Sequence, residues 1–117
     1  MSVSVIFPTL NRRQLLLYSI KTLIDTNEIH KLEIIIVDQS DLYNKKKLSK
    51  DLQQFNSNKI SIKYLPVKFK SLTRARNLGI RLSTNETIMF LDDDIQVLPG
   101  LIEKHLSSFE LNPDIAA

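Results

Sequence analysis

The sequence predicts an α/β fold: a doubly wound, mostly parallel sheet of strand order 3-2-1-4, with helices on both faces. Three observations point to it. Strand-like and helix-like segments alternate as β-α-β-α-β-α-β-α along the 117 residues. The second strand-like run, LEIIIV (32–37), is apolar throughout, as in strands covered on both faces. The most reactive polar residues fall directly after the strand-like runs, where such sheets bind their ligands. Right-handed crossovers leave few topologies, and a reversal of chain direction between strands 1 and 4 is the expected one.

Each element has its own local signal. VSVIF (3–7) is a short β-branched run expected to stop at Pro8, because proline cannot continue a central strand. Asn11 is expected to cap the first helix, with Gln14 in the capping-box position and Leu16, Ile20, Leu23 and Ile24 on its inner face. LEIIIV follows and ends at Asp38. In the polar segment DLYNKKKLSKDLQQF (41–55), Leu48, Leu52 and Phe55 recur at helical spacing. ISIKYL (60–65) alternates and reads as a third strand nearer an edge. Ser71 suits the N-cap of a helix running to Leu82, with Leu72, Ala75, Leu78 and Leu82 inward. ETIMFL (86–91) is the fourth strand. Pro99 opens a last helix whose Ile102, Leu106 and Phe109 face inward.

Bulk properties bound the function. The composition, 43% hydrophobic and 25% charged, is that of one ordinary globular domain spanning 1–117, with no internal repeat or linker. The chain has no cysteine, which excludes disulfides and thiolate metal sites and favours a reducing compartment. No apolar run is long enough to span a bilayer and no leader pattern opens the chain, so the expected location is the cytoplasm. A net charge of +3 is weak for a dedicated nucleic-acid binder, and no nucleic-acid partner is expected. The densest basic cluster, Lys45-Lys46-Lys47, reads first as a solvated helix face. Docking of that face on anionic lipid, giving peripheral attachment at the cytoplasmic face of a membrane, is the open alternative.

The expected topology gathers Thr9 and the triplet Asp92-Asp93-Asp94 around the switch point, with Asp38 one strand away. Neither Gly79 nor Gly100 belongs to a phosphate-cradling glycine loop. The candidate ligands are hard carboxylate oxygens, which suit Mg²⁺ or Mn²⁺. Such an ion offsets repulsion among three adjacent carboxylates and can neutralise charge on a diphosphate leaving group. A single strand-terminal aspartate is often only a turn former; three in a row after IMFL favour a metal. For Asp38 the residues leave a turn role and a ribose or base contact open. Thr9 and Asn11 also read as caps, and Arg74 and Arg76 as surface charges. His30 and His105 stand alone, and no Ser/His/Asp or Cys/His nucleophile set can be assembled.

VSVIFPTLNR, EIIIVDQSD, RARNLGI and MFLDDDIQVLPG, in that order, together resemble the nucleotide-sugar-binding part of family-two glycosyltransferases of the GT-A fold. The resemblance covers almost the whole chain. It implies a Rossmann-like half-domain in which Pro8, Thr9 and Asp38 hold the base and ribose of a nucleotide-diphospho-sugar, most simply a UDP-sugar. Asn11, Arg76, Asp92 and Asp93 join that nucleotide-binding set. The triplet matches the family's D-x-D motif, and this implies Mn²⁺ or Mg²⁺ on Asp94, with Asp92 in support. Where many members carry a further acidic residue after the motif, this chain has Ile95.

The same resemblance implies inverting transfer to a hydroxyl of a glycan or lipid-linked acceptor. The acceptor-binding half and the general base lie downstream of the D-x-D region in such enzymes, so no catalytic base is assigned here. The chain is expected to be the donor-binding part, truncated before that half and inactive alone. Two rival readings make different demands on the same residues. A Mg²⁺-dependent phosphoryl or nucleotidyl transferase would want an aspartate nucleophile or a glycine-rich loop after the first strand, and Pro8-Thr9 stands there instead. A non-catalytic nucleotide-binding or interaction domain would carry the triplet as a vestige that binds no metal.

Overall fold

A computed structural model describes residues 2–27 and 30–104. Four strands, β1 (Ser2–Thr9), β2 (Lys31–Asp38), β3 (Ile60–Pro66) and β4 (Ile88–Phe90), form one parallel sheet in the order β3-β2-β1-β4. Three helices, α1 (Arg13–Thr26), α2 (Leu42–Leu52) and α3 (Leu72–Leu82), make the crossovers, and a 3₁₀ turn at Gln53–Phe55 extends α2. This is the expected order, with β3 at an edge and the switch point between β1 and β4.

The central strands explain why the sheet forms. Val3, Val5, Phe7, Ile34 and Ile36 bury against Leu16, Ile20 and Leu23 of α1 and Leu48 and Leu52 of α2. Ile6, Ile35 and Val37 bury on the opposite face against Ala75 of α3. Adjacent strand residues therefore serve two cores, which is what an unbroken apolar run requires. Residues 101–104 are helical and Ile102 is buried, as expected, whereas Leu106 and Phe109 lie outside the described residues.

Three local expectations are corrected. Pro8 does not end β1, which runs on to Thr9 and stays in register with β2. The alternation of the ladder gives the reason. Ser4 N–H donates to the Thr87 carbonyl and the Ile6 carbonyl accepts from Leu91 N–H, so the even residues of β1 face β4. At Pro8 the missing donor faces β4 as well, so proline ends the β1–β4 pairing and leaves β1–β2 intact. The chain after Phe90 is thereby released from the sheet where the aspartates begin.

Asn11 does not cap α1. Arg12 occupies that position and makes no side-chain cap, while Asn11 adopts φ +55°. Asparagine is among the few residues that tolerate this left-handed conformation. Ser71 does cap α3, accepting from Arg74 N–H. The inner face of α3 is narrower than its leucines suggest: Leu72 and Leu82 are exposed, and Ala75 and Gly79 are buried. A Cβ at Gly79 would lie 2.6 Å from Ile6 Cγ2, so α3 sits too close to β1 for larger side chains.

Candidate functional site

The carboxyl ends of β1 and β4 hold a compact polar cluster. Thr9, buried at the last position of β1, donates from Oγ1 to Asp93 Oδ2 at 2.8 Å. Arg12 reaches back from the start of α1, and its Nη1 meets Asp93 Oδ1 at 3.4 Å and Asp94 Oδ2 at 3.1 Å. Asp93 is buried, while Arg12 and Asp94 are about half exposed. Pro8, Thr9, Leu10, Arg12, Gln39, Leu72 and Asp93 line a cleft of about 200 Å³ here. An open α/β sheet binds its ligands at this position.

Side chains on α1 fix the aspartate segment from beneath. Ser19 Oγ accepts from Ile95 N–H at 3.0 Å and donates to the Ile95 carbonyl at 2.7 Å. Thr22 Oγ1 accepts from Val97 N–H at 2.9 Å. The strand-like Leu91 therefore leads into a turn held at both ends, by Thr9 on one side and by Ser19 and Thr22 on the other.

A second group fixes the neighbouring loop. Asp38 is fully buried, and both of its oxygens are taken. Oδ1 accepts from Ser40 N–H at 2.9 Å and Oδ2 from the Tyr64 hydroxyl at 2.7 Å. Burial raises the Tyr64 hydroxyl's pKa, and the Asp38 carboxylate adds to the effect, so Tyr64 keeps its proton and stays a donor. Ser40 Oγ in turn accepts from Asn11 N–H at 2.7 Å. Asn11 Oδ1 accepts from Asp41 N–H, stitching the loop after β1 to the loop after β2.

The comparisons with known proteins agree with this architecture. Residues 4–117 match the description Glycosyl transferase family 2. The chain belongs to glycosyl transferase family 2. It is 34% identical over 102 residues to the GalNAc(5)-diNAcBac-PP-undecaprenol beta-1,3-glucosyltransferase of Campylobacter jejuni, an alignment covering 86% of this chain and 32% of that protein. It is 25% identical over 116 residues to the chondroitin synthase of Escherichia coli, covering 97% of this chain and 16% of that protein. The chain thus spans a third or less of the length of these relatives. In fold it is similar to S. aureus TarS 1–349 in complex with UDP-GlcNAc, with a TM-score of 0.75 at 18% identity, covering 97% of this chain and 32% of that one.

Within this family-2 chain, the expected site residues separate into two groups. Pro8, Thr9 and Asp93 line the cleft, and Asp94 joins them through Arg12. Asn11 and Asp38 lie outside the cleft lining and spend their polar atoms on the loops around it. Arg76 is exposed on α3, with its guanidinium 5.6 Å from the Phe90 ring. Asp92 is exposed and takes no part in the Arg12 pairing. The carboxylates that meet the Arg12 guanidinium are therefore Asp93 and Asp94.

Among the described residues, no group of three or more acidic or histidine side chains could hold a metal ion. Two carboxylates already converging on a guanidinium do fit an ion that completes its shell with substrate phosphates. Sequence reasoning missed Arg12, Gln39, Ser19 and Thr22. Gln39 is buried, and its Oε1 accepts from Ser71 N–H, tying the cleft to the start of α3. The doublet Arg12-Arg13 immediately after the first strand was the one signal available for Arg12.

Proposed function

We propose that this chain is the donor-binding part of a metal-dependent glycosyltransferase that uses a nucleotide-diphospho-sugar and inverts the anomeric centre. The observation that carries the reading is the convergence of Asp93 and Asp94 on a cationic partner at the β1–β4 switch point. Family membership supplies the reaction class, and the UDP-GlcNAc complex of the similarly folded TarS favours a UDP-sugar. In the transfer, an acceptor hydroxyl attacks the anomeric carbon, the bond to the diphosphate breaks, and the hydroxyl proton passes to a base not assigned here. The acceptor is a glycan or a lipid-linked glycan, as the name of the Campylobacter relative suggests.

The residues divide the work physically. Asp93 and Asp94 would hold Mn²⁺ or Mg²⁺, and when bound that ion neutralises charge on the departing diphosphate. Thr9 and the Ser19–Thr22 pair fix the aspartates in advance, which limits the ordering cost of binding. Arg12, half exposed and already shared between two carboxylates, is free to turn to a phosphate when a metal takes its place. Asp92 and Arg76 stand at the periphery as contacts to the ribose, sugar or diphosphate. Asp38 and Asn11 act through the loops they fix. The absence of cysteine is in keeping with action in the cytoplasm.

Titration calorimetry with UDP-GlcNAc and other UDP-sugars, with and without Mn²⁺, tests this reading. Metal-dependent binding that Asp93→Asn removes is the expected result. If the folded chain takes up neither metal nor any UDP-sugar, the reading fails.

A further inference from the structure

The charges of this chain are sharply segregated along its sequence. Between Asp51 and Glu86 there are seven basic residues and no acidic one, whereas the remainder carries nine basic and all thirteen acidic residues. One stretch therefore holds +7 and the rest −4, which the overall +3 conceals. That stretch comprises β3, α3 and their connections. Lys63 of this stretch pairs with Glu33, and Lys59 lies at the amino end of the sheet. Lys68, Lys70, Arg74 and Arg81 are all exposed, and among the described residues none of them forms an ion pair. Arg74 packs over the Phe69 ring at 4.1 Å. Together with Asn77, Leu78 and Arg81 they line a shallow cleft of about 240 Å³.

The helix adds apolar groups to the charge. At 100° per residue, buried Ala75 and Gly79 define the inner side of α3, so Arg74, Arg81 and Ile80 lie on the outer side. Ile80 is 45% exposed, and Leu72, at the end of the helix bordering the candidate cleft, is 52% exposed. Arginines beside exposed aliphatic side chains suit an anionic lipid surface, where the charges meet headgroups and the aliphatic groups meet the acyl boundary. A nucleic acid would use the charge but not the aliphatic groups.

We propose that the outer face of α3, with the Lys68–Lys70 loop, docks this chain on an anionic phospholipid surface. This moves the docking face away from Lys45-Lys46-Lys47. In that cluster Lys45 Nζ is already bound to the Val67 carbonyl, which leaves Lys46 and Lys47 to face solvent. Leu72, in the first turn of the same helix, lines the cleft, so docking of α3 would bring the cleft's rim towards the lipid surface. The inference does not depend on donor binding and is read without any activity.

The test is co-sedimentation of the 117-residue chain with vesicles of phosphatidylcholine alone or with about a third phosphatidylglycerol, where each basic side chain at the surface contributes roughly fivefold in affinity. Binding is expected only to the anionic vesicles and should weaken in high salt. The exposed quadruple variant Lys68→Gln/Lys70→Gln/Arg74→Gln/Arg81→Gln should keep its thermal midpoint and lose vesicle binding by more than a hundredfold. Lys45→Gln/Lys46→Gln/Lys47→Gln should bind like the parent. Equal binding to both vesicle types, no binding at low salt, or retention by the quadruple variant would overturn the proposal. Uptake of single-stranded RNA in place of anionic vesicles would overturn it too, assigning the face to nucleic acid.

Discussion

Two buried carboxylates at opposite ends of the sheet, Glu33 and Asp93, are treated in opposite ways. At the amino end, Glu33 on β2 accepts from Ser4 Oγ at 2.9 Å, Thr84 N–H at 2.8 Å and Thr84 Oγ1 at 2.7 Å, and it pairs with Lys63 Nζ at 2.8 Å. Its acceptor capacity is filled from within the chain. At the carboxyl end, Asp93 has one firm donor, Thr9, and a longer contact from an arginine it shares with Asp94. A carboxylate saturated by its own chain is a structural part. One left with spare capacity beside an exposed charge is available to a ligand. Cavity size alone would have misled, since the amino end holds the larger hollow, about 270 Å³ against about 200 Å³.

Removing the saturated carboxylate should have the largest effect on stability. Burial alone would raise the pKa of Glu33, yet the hydrogen bonds from Lys63, Thr84 and Ser4 outweigh it and hold the group at about 2, against an ordinary 4.5. The folded-state pKa is depressed, so its stabilisation is complete above about pH 4.5 and disappears as pH falls towards 2. Glu33→Gln should cost on the order of 3 kcal/mol at neutral pH and flatten the acid limb of the stability curve across that window. Denaturant melts at several pH values measure both. Unchanged donor binding in the same variant would keep the two ends distinct, and a lost donor site would merge them.

Tyr64→Phe comes next. It leaves Asp38 Oδ2 buried without its hydroxyl donor, which should cost about 2 kcal/mol. The loop after β2 should loosen with it, visible as faster amide exchange at Ser40 and Asn11. Ser19→Ala should cost less, about 1 kcal/mol, because it removes the hydroxyl bonds to the Ile95 backbone. Its second consequence sharpens the comparison. The aspartate turn would be held only by Thr9 and Thr22, so donor affinity should fall along with stability, unlike in Glu33→Gln.

How far the sequence disclosed all this depends on the range of the interaction. LEIIIV and the leucines of α1 were readable because their signal is a local period, fixed by which faces are buried. The gathering of Thr9 and the aspartates was readable from strand ends and topology alone. The finer pairing was not. Arg12 and Asp94 stand 82 positions apart and meet only once α1 is placed. The same holds for Ser19 and Ile95, where a serine in a helix gave no sign that it would anchor a distant backbone. The place of Pro8 inside β1 was not readable, because its effect depends on which neighbour the missing N–H faces. The exposure of Leu72 and Leu82 was not readable either, because the close approach of Gly79 to Ile6 lets small residues, rather than leucines, form the contact.

Asp94→Asn should have the smallest effect on stability and is the most decisive about the site. The side chain is about half exposed, and its partner among the described residues, Arg12, is more exposed still, so the pair should contribute within about 0.5 kcal/mol. Removing one of two adjacent carboxylates also relieves repulsion, so a slight gain in stability is compatible with a binding role. The informative quantity is the difference between UDP-GlcNAc affinity with and without Mn²⁺, measured by calorimetry on parent and variant. A ligand carboxylate lost from the metal's shell should erase at least about tenfold of that difference, while metal-free affinity stays level. If Asp94→Asn keeps the full Mn²⁺ dependence and Asp92→Asn abolishes it, the metal belongs with the exposed first aspartate. The Arg12 pairing would then be a resting contact of the unliganded chain.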